Sequence, residues 1–570
     1  MAKTREGAPN WEERWRANYP EGVPRHLEYP DIPVHGLLEK AAREFPDRTA
    51  TIFMGGKLTF RQLLDKVYRL AAALADLGLR KGDRIAVMLP NCPQMVISYY
   101  AVSKAGGVIV AMNPLYVERE IEHQIRDAGA KIIIGLDLLS QRIMNVREAA
   151  GLETCVWTGI KDFLPFPLNQ LYPIKARKQG TYVQAPSGPG HHQFTELLKR
   201  YQPRPPEIEL DPAEDLCCLQ YTGGTTGVSK GCMLTHRNMV VNATQVYCWY
   251  PETRMGQEVI MTVLPLFHSY GMTCCLNLAS AIGATMVLQP RFIVEDILKA
   301  IDKWKPTLFP GAPTMYIAIN SHPDVKKYNL ESVNACLSGS APLPVEVQKK
   351  FEEVTGAYLS EGYGLSEASP VTHSNPLFGR RKEGSIGLPL PDTVSRVVDV
   401  ETGGREVPVG ETGELILKGP QVMKGYWNRP DETAQTIRDG WLYTGDIARM
   451  DEDGYTYIVD RKKEMILAGG FNVYPREIDE VLYEHPAILE AAAIGVPDEY
   501  RGETVKVFIV TKPGHQLTAE EVIEYCRGKL ARYKVPKYVE FRSELPRTIV
   551  GKVLRRVLAE EEHRKRAEVR

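Results

Sequence analysis

The sequence predicts an α/β protein with a large N-terminal lobe of two helix-covered sheets plus a small β-barrel-like subdomain, followed by a small α+β C-terminal lobe. Three observations carry this. From Ile32 to Thr235, helical stretches alternate with short apolar strands; near Ser395 the texture changes to short strands broken by Gly, Pro and acidic turns; beyond Glu477 a separate set of helices and strands begins. Alternation favours sheets covered by helices on both faces, and closely spaced short strands favour an antiparallel meander or barrel. At 570 residues the chain exceeds one core, since domains hold about 100 to 200 residues each.

In order, "LTFRQLLDKVYRLAAALADLGL" from Leu58 places apolar residues at helical spacing, and "DRIAVMLP" from Asp83 is a buried strand. "QMVISYYAVSKAGGVIVAMNP" from Gln94 gives a second helix and strand. Between Leu164 and Phe194 the regularity stops in a mixture of aromatics, prolines and basic residues. This segment reads as an exposed loop. The alternative is a surface patch, residues 163–178, in which Phe163, Phe166, Leu171 and Tyr172 enter a membrane interface while Lys175, Arg177 and Lys178 meet anionic head groups. His191 and His192 read as solvated rather than metal-binding. A second helix and strand series runs from "DILKAIDKWKPTLFPGAPT" through "VNACLSGSAPL" to "AYLSEGYGLSEASP". The β-rich stretch occupies about 380–460, and a boundary near Lys463 divides 1–462 from 463–570. Beyond it "REIDEVLYEH" and "AEEVIEYCRGKLARY" read as helices, "LEAAAIGV" and "TVKVFIVT" as strands.

Composition narrows the function. With 70 basic residues against 71 acidic ones there is no reason to expect a nucleic-acid partner. The stretch from Arg527 onward holds fourteen Lys or Arg against six Glu, which fits either solvated helices or a lobe that meets polyanionic ligands. The ten cysteines include no C-x-x-C pair and sit mostly in apolar runs, as free thiols of a reducing cytosol do. "MAKTREGAPNWEERWRANYP" has no apolar core and so reads as no signal peptide. "TCCLNLASAIGATMVLQP" from Thr273, interrupted by Asn277, Ser280 and Gly283, reads as a buried helix entering a strand, not a membrane span. A cytoplasmic location follows, peripheral on the inner face of the membrane if the 163–178 patch is real.

"YTGGTTGVSKG", Tyr221 to Gly231, has the composition of a phosphate cradle. A Walker loop needs Gly-Lys followed by Ser or Thr and an immediate helix. Here Lys230 precedes Gly231, and "GCMLT" is a strand that leads to a helix capped by Thr235. The element is therefore strand, loop, strand, with glycines freeing backbone N–H groups for a phosphate and hydroxyls for phosphate oxygens or a metal.

Further motifs occur in one order: "LPLFHSYG" (Leu264 to Gly271), "SGSAPL" (Ser338 to Leu343), "EGYGLSEASP" (Glu361 to Pro370), "GELILKGP" (Gly413 to Pro420), "YTGD" (Tyr443 to Asp446), "DRKKEMI" (Asp460 to Ile466) and "PRTIVGK" (Pro546 to Lys552). With the glycine loop they resemble the adenylate-forming enzymes, that is, acyl-CoA synthetases, peptide-synthetase adenylation domains and luciferases. The resemblance spans roughly Pro33 to Arg556 and is strongest to bacterial long-chain fatty acid CoA ligases, which share "MLPNCPQ", "LFPGAPT", "VMKGYWNRP" and "FNVYPREIDE".

The resemblance implies a fatty acid, ATP and CoA as substrates, Mg²⁺ as the metal, and a homodimer. By it, Thr222, Gly223, Gly224, Thr225, Thr226, Gly227 and Lys230 hold the β and γ phosphates, and Glu367 with Thr222 or Ser366 holds Mg²⁺. Adenine lies between Gly339, Ser340, Ala341 and Pro342 and the stretch Glu361, Gly362, Tyr363 and Gly364, with the Tyr363 ring as a stacking face. Asp446 takes the ribose hydroxyls and Arg461 the ribose or phosphate. Lys552 is the catalytic cation, delivered by a mobile C-terminal lobe that turns about Lys463 to present Gly469, Gly470 and Phe471 to pantetheine. Plant-type and some long-chain relatives carry Lys where Leu467 stands, which leaves that role unassigned. His268 gates or orients the carboxylate unless it is simply a packed histidine, while Tyr270, Met272 and "LFPGAPTMYI" line an acyl tunnel. The alternatives are a medium-chain or aryl acid, a carrier-protein pantetheine as acceptor, or a non-catalytic binder of acyl-adenylate or fatty acid.

Overall fold

The computed structural model describes residues 11–180, 182–222, 229–462, 464–468, 471–498, 502–548 and 552–569. Two helix-covered sheets form the bulk of the N-terminal part. The first has seven strands, ordered His191–Gln193, Thr154–Thr158, Ile132–Leu136, Arg84–Met88, Val108–Ala111, Leu216–Thr222 and Lys230–Thr235, parallel except for the last. Its central strands are apolar throughout because helices cover both faces, and even the helix Pro93–Lys104 is buried over nearly its whole length. The expected cap at Thr235 is present: its Oγ1 accepts from the Asn238 N–H at 3.1 Å and its own N–H donates to Asn238 Oδ1 at 2.9 Å, starting helix His236–Cys248.

The second layer joins two four-stranded sheets. Segment 308–311 bridges them, since Leu308 pairs with both Ile260 and Ala335, and Gly311 with Ser338. The apolar run from Thr273 folds as read, into a π-type turn over Met272–Asn277, a helix over Leu278–Ile282 and the strand Thr285–Leu288. Gly283 ends this helix at φ +68°, and a Cβ there would stand 2.3 Å from the Phe45 ring, so no side chain fits.

Where the small barrel or meander is expected, an antiparallel five-stranded sheet runs from Val394–Val398 to Thr456–Arg461. The N-terminal segment straps across it. Trp15, on helix Trp11–Ala17, is 1% exposed and lies against Gly454, where a Cβ would come within 2.8 Å of its side chain. Asn18 Nδ2 donates to the Asp453 carbonyl at 3.0 Å, and Asp392 accepts from the Leu27 N–H at 3.0 Å and from the Tyr29 hydroxyl at 2.8 Å. Beyond Ile466 another five-stranded sheet, with helices Pro475–Tyr483, Ala519–Arg527 and Arg555–Val569, encloses its own apolar clusters around Ile478, Val507 and Phe508.

Three expectations change. The exposed loop of 164–194 is instead helical over Leu168–Lys178. Its prolines mislead: Pro167 precedes the first turn, where a missing N–H costs nothing, and only Pro173 lies inside. His191 is only partly solvated: it stacks on Trp157, whose Nε1 donates to His191 Nδ1 at 3.1 Å. The helix expected to run to Tyr533 stops at Arg527, ahead of Gly528. Among the described residues no helix is long and apolar enough to cross a membrane, and all ten cysteines are free, nine of them buried.

Candidate active site

The glycine loop is a strand, loop, strand element: Leu216–Thr222 pairs antiparallel with Lys230–Thr235, and Thr222 stands opposite Lys230. Gly223, Gly224, Thr225, Thr226 and Gly227 lie outside the described residues. Lys230 at the loop's exit pairs with Glu432 and lies 5.3 Å from the Tyr426 ring. The Tyr426 hydroxyl donates to Glu367 Oε1 at 2.7 Å. Glu367 sits on the single turn Ser366–Ala368, where Ser366 Oγ is 3.1 Å from Ser269 Oγ. Tyr426 and Glu432, which tie the loop's lysine to the expected metal carboxylate, escape the sequence reading although "VMKGYWNRP" contains the tyrosine.

Next to this, strand Ala335–Ser338 delivers Gly339, Ser340, Ala341 and Pro342, and the parallel strand Tyr358–Gly364 carries Glu361, Gly362, Tyr363 and Gly364. Gly339 allows close approach, since a Cβ would lie 3.1 Å from the Tyr270 ring. Ser340 holds φ at +71°, a strained conformation of the kind that clusters at ligand sites. Burial pushes the Glu361 carboxyl up to about 7, against the pull of Arg476. The Tyr363 hydroxyl donates to Asp446 Oδ2, and Arg461 Nε stands 3.1 Å from Asp446 Oδ1. Asp446 and Arg461 are partners on adjacent strands of the β-rich sheet, so their closeness follows from register.

Lys552 reaches the same place from the far end of the chain. It sits in a tight turn closed by the Arg547 and Val553 bridge, where the Thr548 N–H donates to the Lys552 carbonyl at 2.8 Å and the Lys552 N–H to Thr548 Oγ1 at 3.1 Å. Its ammonium lies in the field of Arg461, Glu464, Asp446 and Arg555. Desolvation, helped by Arg461, lowers its pKa to about 8. Arg555 is itself held by Glu464 at 2.6 Å and Asp479 at 2.5 Å, which braces the turn from behind. Lys463, Gly469 and Gly470 lie outside the described residues. Phe471 begins the short strand Phe471–Val473, paired to Ala468, and Leu467 is exposed.

His268 precedes the turn Ser269–Gly271, and its Nδ1 accepts from the Tyr270 N–H at 3.3 Å. Burial lowers its pKa to about 4, so the imidazole is neutral with its proton on Nε2, a donor. An apolar pocket of about 70 Å³ reaches from Leu337, two residues before Gly339, to Thr253. Its walls are the helical stripe Cys274, Leu278 and Ile282, the strand residues Leu308 and Ala335, and the aromatic pair Trp249 and Tyr250. Among the described residues no charged side chain lines it. Tyr270 and Met272 do not line it either. The wider π-type turn takes them out of phase with the stripe, and the Tyr270 hydroxyl donates to the Leu337 carbonyl at 2.6 Å instead. Of "LFPGAPTMYI", Leu308 and Pro310 line the cavity, whereas Phe309 and Tyr316 pack on one another in the core.

The site thus gathers a glycine loop's two ends, a carboxylate, a strained small-residue loop, an acid and arginine pair and a buried lysine, and the strand that delivers the small-residue loop also lines an apolar pocket. Comparison with known proteins agrees with it. The family model described as AMP-binding enzyme matches residues 38–427, and that of the AMP-binding enzyme C-terminal domain matches residues 477–552. A long-chain-fatty-acid–CoA ligase of Bacillus subtilis (strain 168) is 51% identical over 549 residues, which is 96% of this chain and 98% of the relative. ATP-bound MatB from Rhodopseudomonas palustris is similar in structure, with a TM-score of 0.81 and 30% identity over 93% of this chain and 99% of that one. The anthranilate CoA ligase AuaEII in complex with anthranoyl-AMP gives a TM-score of 0.84 and 28% identity over 95% and 99%. With a site of this composition and two family matches that together take in most of its length, the chain belongs to the AMP-binding enzyme family.

Proposed function

We propose that this chain is an AMP-forming fatty acid–CoA ligase that prefers long-chain acids. The observation that carries the reading is the apolar cavity, free of charged lining among the described residues, that ends beside the Gly339 loop. An amino acid substrate would need a carboxylate there for its ammonium, and a buried unpaired cation is costly. The name of the Bacillus subtilis relative supports the same acyl class.

In the first step a carboxylate oxygen of the acid attacks the α-phosphorus of ATP. The bond from that phosphorus to the bridging oxygen of the β-phosphate breaks, and pyrophosphate leaves. Lys552 balances the charge shared by carboxylate and α-phosphate, acting as a preorganised point charge in a site with little water. The Thr222 to Lys230 loop holds the departing phosphates, and Lys230 exchanges Glu432 for them. Asp446 keeps lone pairs beyond those used by Tyr363 and Arg461, enough for the ribose hydroxyls. Neutral His268 offers its Nε2–H to the carboxylate. Glu367 and Thr222 fit Mg²⁺, which takes one or two carboxylates and completes its shell with phosphate oxygens and water. Bound there, the ion would neutralise charge on the β and γ phosphates.

In the second step the CoA thiolate attacks the acyl carbonyl carbon, the bond to the AMP oxygen breaks, and AMP leaves. We assign this step to a second orientation of 463–570 relative to 1–462, with Lys463 as hinge and Gly469, Gly470 and Phe471 facing pantetheine. Supporting it, the residues after Ile466 enclose separate apolar clusters, and Lys552 sits against the large part mainly through charged groups. Such an interface can open without exposing a core.

Peripheral membrane contact belongs to the same reading. Helix Leu168–Lys178 exposes Leu168, Leu171 and Ile174 at a spacing of three, Phe166 just before it is 76% exposed, and Lys175, Arg177 and Lys178 are exposed at its end. Phe163 and Tyr172, by contrast, face inward. An exposed apolar stripe with adjacent cations suits an anionic bilayer surface, where acid substrates partition. The homodimer rests on resemblance alone.

The test is carboxylate-dependent exchange of pyrophosphate into ATP, together with CoA-dependent AMP release, over fatty acids from eight to eighteen carbons with benzoate and anthranilate included. Turnover that rises along the fatty series is expected. Turnover of the aryl acids alone would overturn the acyl assignment, and no exchange with any acid would leave a binding protein.

A further inference from the structure

We propose that Tyr19, on the N-terminal strap, is a positioning residue that shapes the acyl cavity from behind and so sets chain-length preference; this rests on the fatty acid reading above. Nothing on the strap lines the cavity, yet Tyr19 touches two of its walls. Its ring meets Trp249 edge-on, with centroids 5.2 Å apart at 85°, and its hydroxyl donates to the Pro389 carbonyl at 2.7 Å. Trp249 lines the cavity, and so does Leu390, the residue after Pro389. One side chain therefore ties the aromatic wall to the wall that follows the edge strand Leu388–Pro389 of the second four-stranded sheet.

A second contact works on the same wall. Gly22, at φ +86°, passes so close to Pro251 that a Cβ would lie 3.3 Å from its Cβ, and Pro251 follows the lining residue Tyr250. The indole of Trp249 has a single polar tether, its Nε1 donating to the Asn375 carbonyl at 3.2 Å. Beside that tether the Tyr19 ring packs edge-on against the indole. Tyr19 cannot retreat, because the strap is pinned on both sides of it. Trp15 and Asn18 hold the turn at 453–454, while Asp392 holds His26, Leu27 and Tyr29. The position of Tyr19 is thus fixed by the β-rich sheet and imposed on the cavity.

An aromatic edge contact is a specific geometry, and a chain terminus in an apolar slot is discriminated by the slot's last few atoms. Tyr19→Ala lets Trp249 swing toward the vacated space and removes the fixed end. The ratio of kcat/KM for a sixteen-carbon acid to that for a ten-carbon acid should change by about tenfold or more, while kcat at saturation with the better acid is kept. Tyr19→Phe, which keeps the edge contact with Trp249 but loses the bond to Pro389, should change the ratio in the same direction by less than Tyr19→Ala does. Tyr19→Leu fills the space without the edge contact and serves if the alanine variant does not fold. In a Trp249→Phe background the Tyr19 change should shift the ratio no further. The same acids titrated against tryptophan fluorescence report the preference as Kd without turnover. If the wild type bound the acids but activated none, the functional reading would fall and this binding series would still judge Tyr19. An equal loss for every chain length, or an unaltered profile in both series, would overturn the proposal.

Discussion

Lys552 is the residue at which charge decides most. Its pKa of about 8 lies below the ordinary lysine value, because burial and Arg461 disfavour the cation more than Glu464 and Asp446 favour it. In the role proposed for Lys552 the ammonium is the working form, so adenylation should be complete below that value and decline as pH rises through it. We expect an alkaline limb near pH 8 in kcat/KM, which reports the free enzyme, and a limb displaced upward in kcat, because bound triphosphate restores favourable charge. Lys552→Arg should abolish the limb, and Lys552→Ala should cost about 100- to 1000-fold in pyrophosphate exchange. A limb that persists in the arginine variant would assign it to another group. Lys552, Asp446 and Glu367 were legible because each lies in a motif whose spacing is short. Their partners were not: Tyr426 and Glu432 reach Glu367 and Lys230 only through tertiary contacts across more than 50 and 200 positions respectively.

Among the elements, helix Leu168–Lys178 is where local reading and tertiary outcome part. Pro165, Pro167 and Pro173 suggest a loop, but two of them precede the helix and the exposed apolar stripe becomes visible only once the turn is formed. By contrast the strands of the seven-stranded sheet and the Thr235 cap were legible, since a buried parallel strand is an unbroken apolar run and a cap is a local hydrogen bond. If the helix meets a bilayer, Lys175→Glu, Arg177→Glu and Lys178→Glu together should weaken sedimentation with phosphatidylglycerol vesicles by about 1 kcal/mol for each positive charge removed. Turnover of a water-soluble medium-chain acid should be untouched. Unchanged vesicle binding would leave the stripe without a lipid partner.

For the whole molecule, the ordered motifs made the division into a large part and a small C-terminal part legible, whereas the orientation that brings Lys552 to Asp446 and Arg461 needed coordinates. This arrangement suits the first half-reaction. Lys463→Pro should therefore spare pyrophosphate exchange and depress CoA-dependent product formation, measured as separate assays; equal loss of both would move the hinge elsewhere. The strap has a consequence of its own for biosynthesis. Asn18 docks on Asp453, a separation of 435 residues. At about 5 to 20 residues per second, the strap waits roughly 20 to 90 s after its own synthesis for that docking turn to be made. Until then Trp15 lacks the turn it packs against, and the strap that carries Tyr19 is held only by earlier contacts such as those to Trp249 and Pro389.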